Sequence, residues 1–308
     1  MVLTRIRYMR YATHYLLFTL VTVLVAAGLL LSRGLNLGID FTGGLLLDLQ
    51  FENAVTIEQV RTVIDSVLGI DAQIQQVEPK GAESPEATEF LVRTPELSAE
   101  DKAKLYDSLN HLGRYRVIGE DAVSATVSSE LTTKALLAVG IAAVLQVIYI
   151  SIRFQFRMGV AAVLALLHDV IITMGVLSLF RVEISSNFVA AALTVLGYSM
   201  NDTVVVMDRI RENLQNRQKG EPLEEVATRS IREVIVRSIY TGVTVELMLV
   251  VMILLGGSTI LDLAATLLVG ILAGTYSSIT VAAALWFVWE RSREGGDPGR
   301  ASARPAKA

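Results

Sequence analysis

Six long apolar windows, separated by charged segments, are the feature that most limits what this chain of 308 residues can fold into. A helix needs about 20 mostly apolar residues to cross the hydrocarbon core of a bilayer. Charged residues make up only 19% of the chain, against about 25% in a typical soluble domain. The pattern therefore predicts an α-helical polytopic membrane protein with six transmembrane helices. The windows are 13–33, 132–152, 158–180, 186–207, 238–256 and 263–289.

The distribution of lysine and arginine around these windows predicts the orientation of the chain. Cytoplasmic loops of membrane proteins carry an excess of these two residues. Basic residues precede the first window and recur around 153–157, within 208–237 and after 289, whereas 181–185 and 257–262 contain only Arg181. We therefore expect a multi-pass protein of the cytoplasmic (inner) membrane with both termini cytoplasmic. On this topology 1–12 is a cytoplasmic N-terminus, 208–237 is a cytoplasmic loop within the helical region 132–289, and 290–308 is a basic, disordered tail.

The segment 34–131 is expected to form a small extracytoplasmic domain between the first and second transmembrane helices. From Asp40 to Asp121 it contains 16 acidic and seven basic residues, a surplus that keeps such a domain soluble. Thr56 and Gln59 form the sequence signature of a capping box. The order of elements predicts an α+β, ferredoxin-like fold. The predicted strands are 44–52, 72–77, 89–93 and 115–119, the helices are 56–68 and 98–113, and a turn lies at 79–85.

A glycine-rich segment directly follows the first window. Gly43 and Gly44 allow backbone angles that other residues avoid, and Asp40 can cap a turn. We interpret Gly38, Asp40, Phe41, Gly43 and Gly44 as a structural turn where the chain leaves the membrane. No phosphate-binding lysine or metal-ligand spacing accompanies it, cysteine is absent, and the three histidines lie far apart. We expect no cofactor and no metal, and the net charge of −4 does not suggest a nucleic-acid partner.

Ionisable residues inside the windows are the candidates for function, because each costs about 2.5–3.5 kcal/mol at bilayer depth. Asp202 lies five residues inside the fourth window, about 7–8 Å from its cytoplasmic end and too deep for a short side chain to reach bulk water easily. Its carboxyl could load and release a proton, with Asn201 as a neighbouring hydrogen-bonding group. Arg237 opens the fifth window, where it is either a positive-inside anchor or the counter-ion of Asp202. No spacing in the sequence requires that contact.

Three further ionisable residues lie within windows. His168 and Asp169 are adjacent, so on a helix they point about 100° apart and cannot both line one narrow path. A structural role against a neighbouring helix is the first interpretation for them, and a place for Asp169 in a proton pathway is the second. Glu246 is a relay member, a paired residue or a neutral acid that bonds another helix. Gly270 and Gly274 are spaced to allow close helix packing.

Four motifs in this chain resemble the SecD/SecF family of protein-export membrane proteins, and more closely its SecF branch. The resemblance extends over nearly the whole chain, and the motifs together are highly specific. It departs from the family pattern at 123–128 (VSATVS), where glycine and proline are common, and at Glu246, where an apolar residue is expected. The motifs are 37–44 (LGIDFTGG), 153–157 (RFQFR), 168–173 (HDVIIT) and 196–213 (LGYSMNDTVVVMDRIREN).

The resemblance implies an RND-type half of six helices that pairs with SecD to complete a unit of twelve. It also implies an accessory role beside the SecYEG channel and the SecA motor, with YajC and YidC as further partners. In the family, the proton-motive force helps to pull the translocating polypeptide outward. The family's proton-pathway aspartate and arginine correspond to Asp202 and Arg237. The coupling ion is H⁺, with Na⁺ as the alternative.

Three other functions remain open at this point. Half of an RND-type small-molecule efflux pump shares the helix plan, but its outer domain would need large apolar pockets, and this one is short with few aromatic residues. A passive assembly scaffold would tolerate loss of Asp202. An intramembrane aspartyl protease would use Asp169 and Asp202, which would have to lie close enough to share a proton.

Overall fold

The structure is a computed structural model that describes residues 7–70, 72–77 and 86–296. The chain divides into two compact units. One unit contains the described residues up to Asn36 and from Leu137 onward, and the other is Leu37–Leu136. The first six residues, the predicted turn at 79–85 and the tail beyond residue 296 lie outside the described residues.

The order of elements follows the alternation of apolar windows and polar segments in the sequence. The chain contains, in order, a 3-10 turn Tyr8–Tyr11, α1 Ala12–Arg33, β1 Asn36–Leu37, α2 Ile39–Thr42, β2 Gly44–Thr56, α3 Ile57–Leu68, β3 Gln73–Val77, β4 Glu86–Thr94, α4 Ala99–Asn110, β5 Tyr115–Val123, α5 Ala125–Arg153, α6 Phe156–Phe180, β6 Glu183–Ile184, α7 Ser186–Gln215, α8 Leu223–Leu255, α9 Ser258–Ser277, a π-helical turn Ser278–Ala282 and α10 Ala283–Gly296.

Six helical stretches in the described part of the chain are long and apolar enough to cross a membrane. They are α1, α5, α6, α7, α8 and the continuous helix from α9 through the π-helical turn into α10. The predicted windows correspond to these helices, but several boundaries differ. The helix α5 begins at Ala125 rather than at 132, and α7 and α8 extend into the predicted loop 208–237, of which only 216–222 is not helical. A criterion based on apolar windows stops where polar residues begin, although the helix itself continues.

The unit Leu37–Leu136 has the predicted ferredoxin-like arrangement. Its four strands are antiparallel in the order β3-β4-β2-β5, so β4 lies between β2 and β3, which α3 joins. The capping box at the start of α3 is present, because the Thr56 hydroxyl accepts from the Gln59 N–H and the Gln59 side chain accepts from the Thr56 N–H. The helices α3 and α4 cover one face of the sheet, where the buried side chains include Leu47, Leu49, Phe90, Val60, Ile64, Leu105 and Leu109.

The glycine-rich segment forms a tight helical turn followed by an abrupt change of direction. The short helix α2 ends at Gly43, whose N–H donates to the Ile39 carbonyl at 2.8 Å. Gly43 has a φ of 71° and Gly44 a φ of 121°, which L side chains rarely adopt. A Cβ on Gly44 would also collide with the Thr94 carbonyl oxygen. The backbone therefore requires glycine at these two positions.

The helices α7 and α9 approach closely at two glycines one turn apart. A Cβ placed on Gly270 would collide with the side chain of Val195, and a Cβ on Gly274 would lie 2.9 Å from the Cβ of Ser199. Small residues at such positions let helix backbones approach and pack where no hydrophobic driving force acts between helices in lipid. The prediction from the GxxxG spacing is confirmed.

We expect the substitution Gly274→Ala to destabilise the helical unit, because the added methyl group must push α9 away from α7. Overpacking of this kind costs about 1–3 kcal/mol. The measurement is the thermal unfolding midpoint of the purified protein in detergent. Gly140→Ala on α5 is the matched control, since a Cβ there meets nothing within 4 Å. Equal midpoints for the two variants would contradict the close approach.

The face of the sheet opposite α3 and α4 contains a carboxyl group in an unfavourable environment. Oδ1 of Asp48 on β2 is buried and has no hydrogen-bond partner within the described residues. Burial raises the pKa of the Asp48 carboxyl above its ordinary value. Burial, and then the charge of Asp48, likewise raises the pKa of Glu89 on the neighbouring β4. Ionisation of Asp48 therefore opposes folding of this unit.

We expect Asp48→Asn to stabilise the outer unit at neutral pH. A carboxyl whose pKa is raised by folding binds its proton more tightly in the folded state, so the stability of the unit falls as pH rises through the acidic range. The gain in the variant should disappear below about pH 4, where the carboxyl is protonated in both states. Pulse proteolysis in urea at the two pH values measures this. Asp65→Asn, at an exposed site on α3, should give no such pH-dependent gain.

Candidate functional site

Two aspartates are enclosed within the helical unit. Asp169 on α6 is 0% exposed and Asp202 on α7 is 8% exposed. A buried carboxylate is strongly disfavoured unless it is paired or accepts hydrogen bonds. The partners of these two acids therefore define the candidate site.

The carboxylate of Asp202 is held by two serine hydroxyls from two other helices. Ser238 on α8 donates to Oδ1 at 2.6 Å, and Ser278, the first residue of the π-helical turn, donates to Oδ2 at 2.6 Å. Both serines are buried. One carboxyl group thus connects α7, α8 and the continuous helix that contains α9.

The carboxylate of Asp169 has a similar shell. Ser277 at the end of α9 donates to Oδ2 at 2.8 Å, and Ser199 on α7 donates to the same oxygen. Nδ1 of His168 lies 2.9 Å from Oδ1. The adjacent residues His168 and Asp169 thus meet through their side chains, and Asp169 faces α7 and α9.

The two acids are connected through α7, which carries Asp202 and bonds Asp169, and through the continuous helix that contains α9. Ser199 and Asp202 are three residues apart on α7, so they lie on the same face of that helix. Ser277 and Ser278 are adjacent, and the helix changes from α to π geometry at this point. Isolated π-helical turns occur frequently at functional sites. The close approach at Gly274 brings α9 against Ser199. The end of α9 thereby lies close enough for Ser277 and Ser278 to bond the two acids.

Asp202 also lines an open groove of about 460 Å³ between α7 and α8. Arg237 and Asn201 line the same groove, and both side chains are exposed. The groove is formed by Tyr198, Asn201, Asp202, Val205, Arg237, Tyr240, Thr241, Thr244 and Val245. It gives Asp202 a side that is accessible from outside the bundle.

The expected ion pair between Asp202 and Arg237 is not present in this structure. Among the described residues, no cation lies within 4.0 Å of the Asp202 carboxylate. The reason is geometric: Ser238 on α8 faces Asp202, and adjacent residues on a helix point about 100° apart, so Arg237 points into the groove instead. The two residues share a groove but not a contact.

Glu246 lies further along α8 and does not bond either aspartate within the described residues. It is half-buried beside Gly242, where a Cβ would lie 2.8 Å from the Thr275 hydroxyl oxygen and 3.6 Å from Oε1 of Glu246. The hydroxyl of Thr275 is buried and has no hydrogen-bond partner in the part of the chain that the structure describes. Glu246 therefore occupies a separate polar region next to the groove.

The four serine hydroxyls that hold the acids were not fully anticipated from the sequence. Ser199 is three residues from Asp202 in the sequence, whereas Ser238, Ser277 and Ser278 are distant in sequence from the acids that they bond. Serine costs little in an apolar helix, so it carries a weak signal by itself. The signal that could have found two of them is the pair Ser277–Ser278 one turn after Gly274, because a close helix contact brings neighbouring polar groups within bonding distance.

Two sequence families match the chain. The family described as "Protein export membrane protein SecD/SecF, C-terminal" matches residues 104–292, and "SecD/SecF GG Motif" matches residues 28–55. The first match contains both buried aspartates and all four serines. The second contains the turn at Gly43 and Gly44.

The chain is similar to SecF proteins of about its own length and to longer SecDF proteins. It is 38% identical over 292 residues to a protein translocase subunit SecF from Sebaldella termitidis, covering 94% of this chain and 92% of that protein. It is 36% identical over 299 residues to a protein translocase subunit SecDF from Thermus thermophilus, covering 96% of this chain. The chain spans only 40% of the length of that SecDF.

Solved structures of SecDF superpose on the chain as well. The crystal structure of SecDF from Thermus thermophilus has a TM-score of 0.83 at 37% identity, covering 93% of this chain and 39% of that chain. A crystal structure of SecDF in a super-membrane-facing form has a TM-score of 0.69 at 36% identity, covering 96% of this chain and 40% of that chain. The fold and the order of helices are therefore those of one part of SecDF.

Proposed function

The chain belongs to the SecD/SecF family of protein-export membrane proteins, and on that premise we propose that it works with SecD to promote late translocation of polypeptides by means of the proton-motive force. Its general role is that of an accessory subunit in Sec protein export. It is a multi-pass membrane protein and a translocase subunit. We further propose that it lies in the cytoplasmic (inner) membrane.

The observation that carries the proposal is the Asp202 carboxylate held by hydroxyls from two other helices beside an accessible groove. An ionised carboxylate accepts from both Ser238 and Ser278. A protonated carboxyl has one oxygen that donates, so one of the hydroxyls must turn away or accept instead. Uptake of a proton therefore changes how α7, α8 and α9 are connected. A charge that moves through the membrane field supplies about 2.3 kcal/mol per 100 mV, enough to bias such a two-state element.

In the proposed mechanism, Arg237 promotes release of the proton from Asp202. Its guanidinium is within the same groove as the acid but is not engaged with it. A small rotation of α8 or a change of side-chain rotamer brings the cation to the carboxylate, where it stabilises the ionised form and releases the proton. Repacking of the helices then changes the conformation of the outer domains of SecD and SecF, which contact the emerging polypeptide. Hydroxyl and carboxylate oxygens are also suitable ligands for Na⁺, so a sodium gradient is the alternative source of energy for this mechanism.

SecD is the proposed immediate partner. The relatives from Thermus thermophilus and Bacillus subtilis are SecDF chains, of which this chain covers 40% and 37%. A chain of this length supplies one half of an RND-type unit of twelve helices, and SecD supplies the other. SecYEG, SecA, YajC, YidC and the translocating polypeptide are proposed as the wider set of partners. Both termini are proposed to be cytoplasmic.

The other functions fit less well. The relatives named above are translocase subunits, which does not favour the efflux pump. The aspartyl protease requires two carboxyls that face each other and share a proton, whereas Asp169 and Asp202 bind different serines. The passive scaffold differs from our proposal in one testable respect, which is its tolerance of a neutral residue at position 202.

We expect Asp202→Asn to abolish the part of export that depends on the proton-motive force while the protein still folds and assembles. Asparagine has the same shape and can still bond both serines, but it cannot exchange a proton. The measurement is the rate of preprotein translocation in membrane vesicles with and without a protonophore. Repeating it with a sodium ionophore separates the two coupling ions.

Asp208→Asn is the control for this experiment, because Asp208 is on the same helix in a partly exposed pair with Arg153. Such pairs contribute about 0–1 kcal/mol, so this variant should retain the stimulation. Unchanged export with Asp202→Asn would make Asp202 structural and would favour the passive scaffold.

We expect a SecD protein to co-purify with the tagged chain in near-equal amounts from mild detergent. The reason is that the six helices leave many apolar side chains exposed, including Leu136, Leu145 and Ile152 on α5, and SecDF relatives join both halves in one chain. Quantitative mass spectrometry of the eluate checks this, with an unrelated tagged membrane protein of six helices as the control. Recovery of SecD with the control alone, or with neither, would contradict the assignment.

A further inference from the structure

The mechanism proposed above uses Asp202 and leaves the more deeply buried acid without a role. Asp169 is fully enclosed, lines no part of the groove, and nevertheless receives two hydroxyl hydrogen bonds and the contact with His168. An apolar side chain at this position would meet the needs of packing at lower cost. The three polar partners of this buried carboxyl therefore suggest a role beyond packing.

The connection between the two acids passes through hydroxyls that have a choice of acceptor. Ser277 donates to Asp169 at 2.8 Å but also has the Gly274 carbonyl at 3.2 Å. Ser278 donates to Asp202 at 2.6 Å and has the Thr275 carbonyl at 3.1 Å. A hydroxyl has one proton to donate. Each serine therefore donates to its acid while that acid is ionised and is free to turn to its own backbone when the acid is protonated.

The two serines with alternative acceptors, Ser277 and Ser278, are adjacent, and α9 changes from α to π geometry between them. Ser199 adds a second connection, because it bonds Asp169 and is on the same face of α7 as Asp202. A change at Asp169 therefore acts on α7, which carries Asp202, and on the turn Ser277–Ser278, which supplies one of the two hydroxyls that hold Asp202. When both acids are ionised their negative charges repel each other, and repulsion between charges is stronger where the dielectric constant is low.

We propose that Asp169, together with His168, is a second ionisable site that controls how readily Asp202 takes up the coupling ion. Asp169 acts on Asp202 through its charge and through the turn Ser277–Ser278, so it is a positioning residue rather than the site of loading. This inference rests on the proposed function, since it assigns Asp169 a role in the same cycle.

The charged and titratable groups around the pair come from every helix packed against it. His168 is on α6, and the ring of Tyr276 on α9 lies 6.1 Å from the His168 ring between centroids. The Tyr276 hydroxyl lies 3.5 Å from the Thr19 hydroxyl on α1. Arg237 on α8 and Tyr198 on α7 line the groove together with Asp202, and Glu246 lies beside Gly242 on α8. Among these groups His168 is the one in direct contact with Asp169.

The test uses the complex with SecD and compares Asp169→Asn and Ser277→Ala with Ser230→Ala. Ser230 is the matched control, because it is fully buried, and its partners within the described residues are the Val226 carbonyl, to which it donates, and the Asn213 amide, from which it accepts. The first readout is the pH profile of export driven by the proton-motive force. The second is the modification of Asp202 by a hydrophobic carbodiimide, which reacts with protonated carboxyls, followed by mass spectrometry across the same pH range.

Removing the charge of Asp169 makes ionisation of Asp202 easier. We expect the midpoint of carbodiimide modification in Asp169→Asn to move toward acid by about one pH unit, roughly a ten-fold change in proton affinity. The export profile should move in the same direction. Ser277→Ala should give a smaller shift of the same sign, because it weakens the ionised form of Asp169. Ser230→Ala should leave both midpoints in place.

The outcomes separate this inference from the function on which it rests. If Asp202→Asn abolishes stimulation but Asp169→Asn and Ser277→Ala keep the midpoints of Ser230→Ala, Asp169 is only structural and this inference is wrong. If Asp202→Asn has no effect on export, the proposed coupling fails, whatever Asp169 does. If Asp169→Asn does not fold, the midpoint in Ser277→Ala decides the question by itself.

Discussion

The hydrocarbon core of a bilayer offers no water to a polar group, and this constraint governs most of the structure. Every carboxyl at that depth must be neutral, paired or surrounded by donors. In this protein the two enclosed acids obtain donors from serines on neighbouring helices. Ser278 reaches Asp202 across the contact between α7 and the helix that contains α9, where Gly270 and Gly274 let the two helices approach closely. Helix packing and the chemistry of the site are therefore consequences of the same requirement.

The parts of the fold that the sequence predicted are those in which local pattern decides the structure. Apolar windows locate the six helices because the length of a helix must match the thickness of a membrane. The capping box at Thr56 and Gln59 locates the start of α3, and both of its hydrogen bonds are present. The pair Gly270 and Gly274 indicated a close contact without naming the partner helix. Helix ends were predicted less well, since α7 and α8 continue beyond the apolar residues.

The site could be predicted only in part, because its contacts join residues distant in sequence. Asp202 was recognisable by its cost in an apolar window, and the acid is indeed buried. Its partners could not be derived in the same way. Arg237 was the natural choice by charge, yet Ser238, the next residue, occupies the face toward Asp202. A single step along a helix changes direction by about 100°, so charge alone does not select the contact.

Serine rather than arginine contacts the Asp202 carboxylate, and this difference matters for an acid that must exchange an ion. A guanidinium held against the carboxylate would strongly favour the ionised form and would oppose uptake of a proton. A hydroxyl can donate to a carboxylate or accept from a carboxyl, so it satisfies both protonation states at similar cost. The carbonyls of Gly274 and Thr275 give Ser277 and Ser278 a second acceptor when the acids no longer need one. An acid surrounded by hydroxyls, with a cation within reach but not bound, is therefore suited to alternate between two charge states in a membrane.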